Sequence, residues 1–521
     1  MALTKVTGKM ATFDNGASGS VKRNLYDKLA ETVSAEDFGA VGDGVTDDGA
    51  ALQAAIDYLY SIGGGTLLLD GSKNYQLGNT VLEVYGNVNI SGNGAKISKN
   101  SVASGNAAIR PTVKISGAEY AINTGSNKYE RTVTTTTAAN AGNFAAGDFV
   151  YIKWGIDPYD ATQPYANVVN KVLSVDAGTG VVTLANPIPY DWSYTGTQVI
   201  QKLTGCWTGY IEDLVIAPNT IGDVAGIYTY KSYGGTIRNI RGIQVTSSIV
   251  VIANSTGIHI ENIFNESITG LTGVQRGRSV NVWSSQNITI DGVVDGNHRN
   301  NANSPIFIES EAVSVTISNC HLIGSYQSGV FGVTITGGCY DVMLENNVIE
   351  NFQQAIRTIN STAYYKNNII RGGGAQPLNI NIIDFMGNTV ESGGKLRKIN
   401  CIQAIPFTVT NIAAGISTYL PASNTNRAVA DGIVVGMAWD LGDGPITAGT
   451  LTLRAFNSGI GLVTSQVPVT GSGRHLFSFA SENIPALMFS AGDVIAMQCI
   501  ASAGLLPAST LDLNVELLVA Y

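Results

Sequence analysis

Charge is what this chain has least of. Only 13% of its 521 residues are Asp, Glu, Lys or Arg, against the usual quarter or so. The 30 basic and 39 acidic residues leave a net charge of −9, which excludes the basic footprint that nucleic acid or anionic lipid requires. An acidic polymer could be met only by local cations. Histidine is scarce at 4 residues and cysteine at 5. Cys206, Cys320, Cys339, Cys401 and Cys499 are scattered, with no C-x-x-C spacing and no His/Cys grouping of metal-ligand type. They read as buried thiols of a protein folded in a reducing compartment, and neither a metal nor a cofactor is expected. No apolar run is long enough to span a bilayer, so membrane insertion is not expected. The opening "MALTKVTGKMATF" lacks the apolar core of a signal peptide, so synthesis in a cytoplasm is expected.

What the chain has instead is glycine, 60 residues of it, with abundant Asn, Ser, Thr and Ile. That balance indicates an all-β architecture with many turns rather than disorder. One helix stands out. In "DFGAVGDGVTDDGAALQAAIDYLYSIGGG", Leu52, Ala55, Ile56 and Leu59 recur at helical spacing behind Asp47, a suitable N-cap, and Gly63 to Gly65 stop the run. Gly39, Gly42 and Gly44 are expected in tight turns. The loop lacks the lysine of a nucleotide-binding loop and the spaced acids of a calcium loop, so it is expected to start a structure rather than hold a ligand.

From 205 to about 398 an internal repeat dominates: an apolar residue, a variable one, then Asn, Asp or Gly. It runs through Ile211, Ile237, Ile260, Ile290, Ile317, Leu344, Tyr365 and Phe385, at intervals of 20 to 30 residues. That period without helical pattern predicts a parallel β-helix, the apolar residue inward and the Asn or Asp also inward in a ladder. A solenoid needs a cap, here residues 35–127 with the short N-terminal helix and the first coils. Residues 128–204 read as strand-turn-strand units of a small inserted β domain. Residues 399–521 read as alternating strands of a jelly-roll-like β-sandwich.

The stretch "DFGAVGDGVTDDGAALQAAI" followed by "GGGTLLLDGSKNY" resembles the N-terminal signature of the pectate-lyase-like β-helix superfamily, and "GSVKRNLYDKLAETVSAEDFGA" before it is similar to the junction in bacteriophage tailspikes and capsule depolymerases. The resemblance implies a right-handed parallel β-helix and a homotrimer. It implies that residues 1–34 attach to the phage tail or baseplate, and that the C-terminal sandwich aids trimerisation or carbohydrate binding. It also implies a virion tail protein assembled in the host cytoplasm, whose partner is bacterial surface polysaccharide. Such a fold hosts hydrolases, lyases and esterases alike.

Glycoside hydrolysis needs a carboxylic acid and a carboxylate flanking the bond, roughly 5–5.5 Å apart for retention or 6.5–9.5 Å for inversion. The residues after the anchors form one outward column: Glu212, Arg238, Glu261, Asp291, Ser318, Glu345, Lys366 and Met386. A second column, some eight residues before the anchors, is expected to hold Trp283, Glu309, Thr336 and Arg357, with Glu311 facing outward beside Glu309 in "IFIESEA". Trp283 is placed for a sugar ring to stack on. Two long connections flank this region and carry Arg276, Arg278, Asp295, His298 and Arg299. The catalytic pair is expected among Asp291, Asp295, Glu309 and Glu311, and substrate binding from Trp283, His298, Arg299, Arg357 and Arg278. A lyase would instead use His298, Arg299 and Arg357 as base and carboxylate-neutralising cations. A third possibility is an adhesin that binds glycan without cleaving it.

Overall fold

The computed structural model describes residues 11–29, 31–100, 106–123, 129–156, 164–189, 198–217, 224–245, 247–266, 277–298, 304–325, 329–359, 361–372, 378–379, 388–392 and 395–398, and beyond these the strands between Ile402 and Ala520. They form two compact units, Met1–Val294 with Ser310–Val315 and Asp295–Glu309 with Thr316–Tyr521. Nearly all of the structure is β, and each unit contains coils of parallel β-solenoid.

In the first unit, helix Gly49–Ser61 buries Leu52, Ala55, Ile56 and Leu59, the four residues its periodicity singles out. Asp48, one residue later than expected, holds the N-cap position, while the Asp47 carboxylate accepts from the Gly49 N–H at 2.9 Å. The Asp48 side chain turns the other way. It is 1% exposed and accepts from the N–H groups of Val41 at 2.6 Å, Gly42 at 3.1 Å and Gln76 at 3.3 Å. One buried carboxylate thus closes the glycine-rich loop onto the first coil. Gly39, Gly42 and Gly44 have φ of +89°, +68° and +78°, the left-handed turns that only glycine enters without strain.

Six strands then stack in parallel register, so that Leu67, Ile90, Ile211, Ile237, Ile260 and Ile290 form one row, each 0% exposed. Burial of each contributes roughly 1.5–3 kcal/mol. On a second sheet Leu82, Ile109, Ile227, Val250 and Val280 do the same. The repeat's third residue explains its composition. Asp213, Asn239, Asn262, Gly292, Asn319, Asn346 and Asn367 all have φ between +54° and +69°, a backbone open to Gly and, among the rest, mainly to Asn and Asp.

These residues do not point inward, contrary to the sequence-based expectation. They form a ladder on the outside, Asn262 donating to Asn239 at 3.0 Å and Asn239 to Asp213 at 2.8 Å. The inward position is the next residue. It is aliphatic in the first unit, where Leu214, Ile240 and Ile263 align. In the second unit it is Cys320, Asn347, Asn368 and Asn388, all at most 1% exposed. There Asn347 donates to Asn368 at 2.8 Å and Asn368 to Asn388 at 2.8 Å, their other amide hydrogens reaching the Ile317 and Leu344 carbonyls at 2.9 Å.

Between the strands Asn106–Pro111 and Tyr210–Ile216, the segment from Ile115 to Thr204 forms a six-stranded antiparallel sheet. The sheet starts earlier than residue 128. It packs on solenoid turns through the Phe149 and Tyr233 rings, 5.2 Å apart, the Thr256 hydroxyl donating to the Val169 carbonyl at 2.6 Å, and Lys231 Nζ 4.1 Å from the Tyr151 ring. Trp207, 0% exposed, closes the return to the solenoid, with Nε1 donating to the Val88 carbonyl at 3.0 Å. In the second unit, the strands beyond Cys401 pair into two five-stranded sheets. Cys206, Cys320 and Cys339 are buried free thiols, and burial pushes the Cys206 thiol up to about 12.

Two measurements check these assignments. Asn368→Ala strands several buried polar groups at about 1–3 kcal/mol each, so a destabilisation of about 3 kcal/mol or more is expected in denaturant unfolding. Asn367→Gly keeps the left-handed turn and is expected to stay within about 0.5 kcal/mol. Near the cap, burial would raise the Glu36 carboxyl, but hydrogen bonds from Lys73 (2.7 Å), Ser34 and Tyr75 (2.8 Å) outweigh it and bring it from 4.5 down to about 2. Its contribution is therefore fully present above pH 4.5 and lost as pH falls toward 2. Glu36→Gln is expected to unfold more easily at pH 7, the difference from wild type closing between those two values.

Candidate functional site

In the first unit, the outward positions of the parallel strands from Leu82–Val84 to Arg278–Trp283 form an aromatic floor. Arg110 aligns with Glu83, Tyr228 with Val251, and Val251 with Asn281. The next outward row carries Tyr230, Ala253 and Trp283. Trp283 and Tyr228 lie half-buried against Ala107, Ala225 and Val251, an apolar patch on the outside of the coil. Arg110 stands 5.9 Å from the Tyr228 ring and 3.6 Å from Glu83. Burial pushes the Tyr228 hydroxyl up to about 12. The Arg110 Nε and Asn281 Oδ1 are buried atoms without a hydrogen-bond partner among the described residues. Arg278 is half-buried at the start of the Trp283 strand, in register with Ser248.

Asp291 lies elsewhere in the same unit. It ends the strand Gln286–Asp291 on the other sheet, where Glu212, Arg238, Glu261 and Asp291 align as the anchor column predicts. Arg238 holds Glu212 through two contacts, at 2.8 and 2.5 Å. Glu261, whose carboxylate is 3.8 Å from His259 Nε2, is the in-register neighbour of Asp291. Trp283 and Asp291 therefore do not share a sheet.

Glu311 is 8% exposed and does not stand beside Glu309 at strand rise. The strand Ile306–Glu309 stops there, and Ser310 and Glu311 both take left-handed backbone, φ +53° and +58°. The alternation that would turn both glutamates outward therefore ends at the first.

In the second unit, Ile306 and Ile308 point inward and are 0% exposed, while Phe307 and Glu309, alternating with them, face out, half-buried. The register corrects the second column: Phe307, Thr334 and Arg357 share one outward row, and Ile359 rather than Arg357 aligns with Thr336. Connections of unequal length make a fixed offset slip by two residues. The Arg357 guanidinium lies 4.6 Å from the Phe331 ring centroid, and the Ser304 and Thr334 hydroxyls meet at 2.6 Å. Asp295 is 0% exposed, enclosed rather than presented to a ligand. His298 ends the strand Val294–His298, but its side chain, like Arg276 and Arg299, lies outside the described residues. Among the described residues no group of three His, Cys, Asp or Glu side chains is placed to hold a metal ion.

The sequence reading passed over Arg110, Tyr228, Tyr230, Asn281, Phe307 and Phe331. Most of them lie in the outward row two residues before the second column, so the alternation that found Trp283 and Glu309 could have found them too.

No protein-family model matches the chain. Short stretches match curated proteins. Identity is 43% over 79 residues with the tail spike protein of Shigella phage Sf6, 14% of this chain and 12% of that protein. It is 47% over 64 residues with the K30/K69-specific capsule depolymerase 1 of Klebsiella phage K5-2, 12% of this chain and 8% of that protein. It is 68% over 34 residues with mannuronan C5-epimerase AlgE5 of Azotobacter vinelandii, 6% of this chain and 3% of that protein. The matched stretches thus span at most 12% of the length of these relatives. Among solved structures, the tailspike gp61 of Pseudomonas phage phi297 aligns at 13% identity and TM-score 0.39, over 94% of this chain and 99% of that one. The gp54 tailspike of Acinetobacter baumannii phage AP22, solved with a capsular saccharide, aligns at 10% and 0.42, over 97% and 100%. The tail spike and depolymerase matches bear out the resemblance read from the N-terminal signature.

Proposed function

We propose that the chain is a phage tail-spike depolymerase that binds and cleaves host surface polysaccharide, capsule or O-antigen, by endoglycosidic hydrolysis. The observation that carries this reading is Glu309, a carboxylate half-exposed on the outward face of a coil, in a strand paired with Phe331–Thr336, which pairs in turn with the Arg357 strand Gln354–Ile359. The tail spike and depolymerase relatives support it. Glu309 protonates the glycosidic oxygen as general acid, and a second carboxylate activates water or attacks the anomeric carbon. In this reading the protein is a homotrimer, a neighbouring subunit supplies that second carboxylate across the groove, the N-terminal residues hold the virion tail, and the C-terminal sheets form a jelly-roll sandwich. The aromatic floor around Trp283 and Tyr228 offers faces on which sugar rings stack. Asp295, being enclosed, serves the fold and not the reaction.

A second reading, β-elimination on the same face, is favoured by one observation: the match to mannuronan C5-epimerases, named for the carbon from which a uronate lyase takes its proton.

The test is incubation with a panel of bacterial surface polysaccharides, following chain length, reducing ends and ultraviolet absorbance together. Shorter chains with new reducing ends and no new absorbance are expected. Absorbance from a new C=C bond would establish the lyase, and tight binding without shortening an adhesin. Glu309→Gln is expected to lower turnover by about 100-fold or more while binding persists. Trp283→Ala is expected to weaken binding about tenfold at unchanged melting temperature.

A further inference from the structure

The distribution of arginine partners points beyond the reaction to the kind of polymer, on the premise that this face binds glycan. Arg23, Arg238, Arg241 and Arg371 each hold a carboxylate at 2.9 Å or less. Arg110 faces Glu83, and Arg131 donates to the Ala185 carbonyl at 2.9 Å. Arg357 differs. It faces outward from the middle of the strand Gln354–Ile359, half-buried, and among the described residues its contact is the Phe331 ring at 4.6 Å. Its in-register neighbours are Thr334 and Asn379, with Phe307 one strand beyond Thr334, none of them an anion. Burial disfavours its charged form relative to water, yet a guanidinium stays protonated in a protein. The ring repays part of that lost hydration, but it has no acceptor for the N–H fork.

We propose that Arg357 and Phe331 form a carboxylate-recognising subsite, and that the polysaccharide taken on this face is acidic, with a carboxylate-bearing sugar in its repeat. The geometry favours a carboxylate. The guanidinium carbon lies 4.6 Å from the Phe331 ring centroid, a phenyl ring offers no hydrogen-bond acceptor, and the two parallel N–H groups of the fork match the two oxygens of a planar carboxylate. In a chain of net charge −9, such a local cation offsets the repulsion that an acidic polymer meets at close range. Glu309, one outward row further along the strand Ile306–Glu309, would then be placed near the acidic sugar, and the salt dependence of binding would follow from the same contact.

The full chain and its Arg357→Gln and Arg357→Lys variants are compared on an array of capsular and O-antigen polysaccharides, each acidic one paired with its carboxyl-reduced form. Wild type is expected to bind acidic members and to lose about tenfold or more in affinity on carboxyl reduction. Arg357→Gln is expected to bind the acidic form as weakly as wild type binds the reduced one, with Arg357→Lys between them. Because carboxyl reduction alters the ligand alone, that comparison does not depend on the variants' folding. Equal affinity for acidic and reduced forms, or binding confined to neutral polymers, overturns the subsite and leaves the depolymerase standing. Failure to bind or shorten any polysaccharide overturns the depolymerase reading itself, and the subsite with it.

Discussion

A parallel coil can pair its backbone only with the coil before and the coil after it, so every turn must hand the chain on at the same height and in the same direction. The left-handed residue two after each anchor is the device that does this here. Asp213, Asn239, Asn262, Gly292, Asn319, Asn346 and Asn367 repeat one backbone conformation at one corner, and the isoleucine rows follow from it. The same constraint governs the start, where no earlier coil exists. There the buried Asp48 carboxylate gathers the N–H groups of Val41, Gly42 and Gln76, and the helix Gly49–Ser61 covers the apolar end.

How far this was legible in the sequence follows from the same device. Left-handed backbone favours Gly, Asn and Asp over other residues, and all seven repeat positions hold one of the three, so the repeat declares itself without homologues. The capping helix was legible because four buried residues fall on one face. The ladder was misplaced by one residue. In "LENNVI" and "YKNNII" two asparagines stand side by side, and composition does not say which holds the turn and which points in. In the first unit the inward residue is Leu214, Ile240 or Ile263, so no polar signal marks it at all.

The candidate site was less legible, for a geometric reason. Outward columns can be extrapolated only while the strand lasts and the coils keep one length. The first condition fails after Glu309, where two left-handed residues in succession separate Glu311 from it. The second fails between Thr336 and Arg357, where the offset slips by two. Asp295 illustrates a third limit: a carboxylate next to a predicted loop gives no sign in sequence that it is enclosed. Some of the charge, scarce to begin with, is neutralised coil to coil, as Arg238 with Glu212 and Arg371 with Glu350 show. Scarcity is what makes the exceptions informative.

The two amide ladders also have opposite senses. In the buried one each Asn donates toward the C-terminus, from Asn347 to Asn368 to Asn388; in the exposed one donation runs toward the N-terminus, from Asn262 to Asn239 to Asp213. A ladder with a sense has a last rung, and the last rung need only accept. A carboxylate is admissible there and nowhere further along, because it has no hydrogen to pass on. Asp213 occupies that terminal place. Duplication of a coil, the simplest way such a protein lengthens, therefore keeps the line intact only above it, and an aspartate copied into the middle of the stack would leave the next bond unmade.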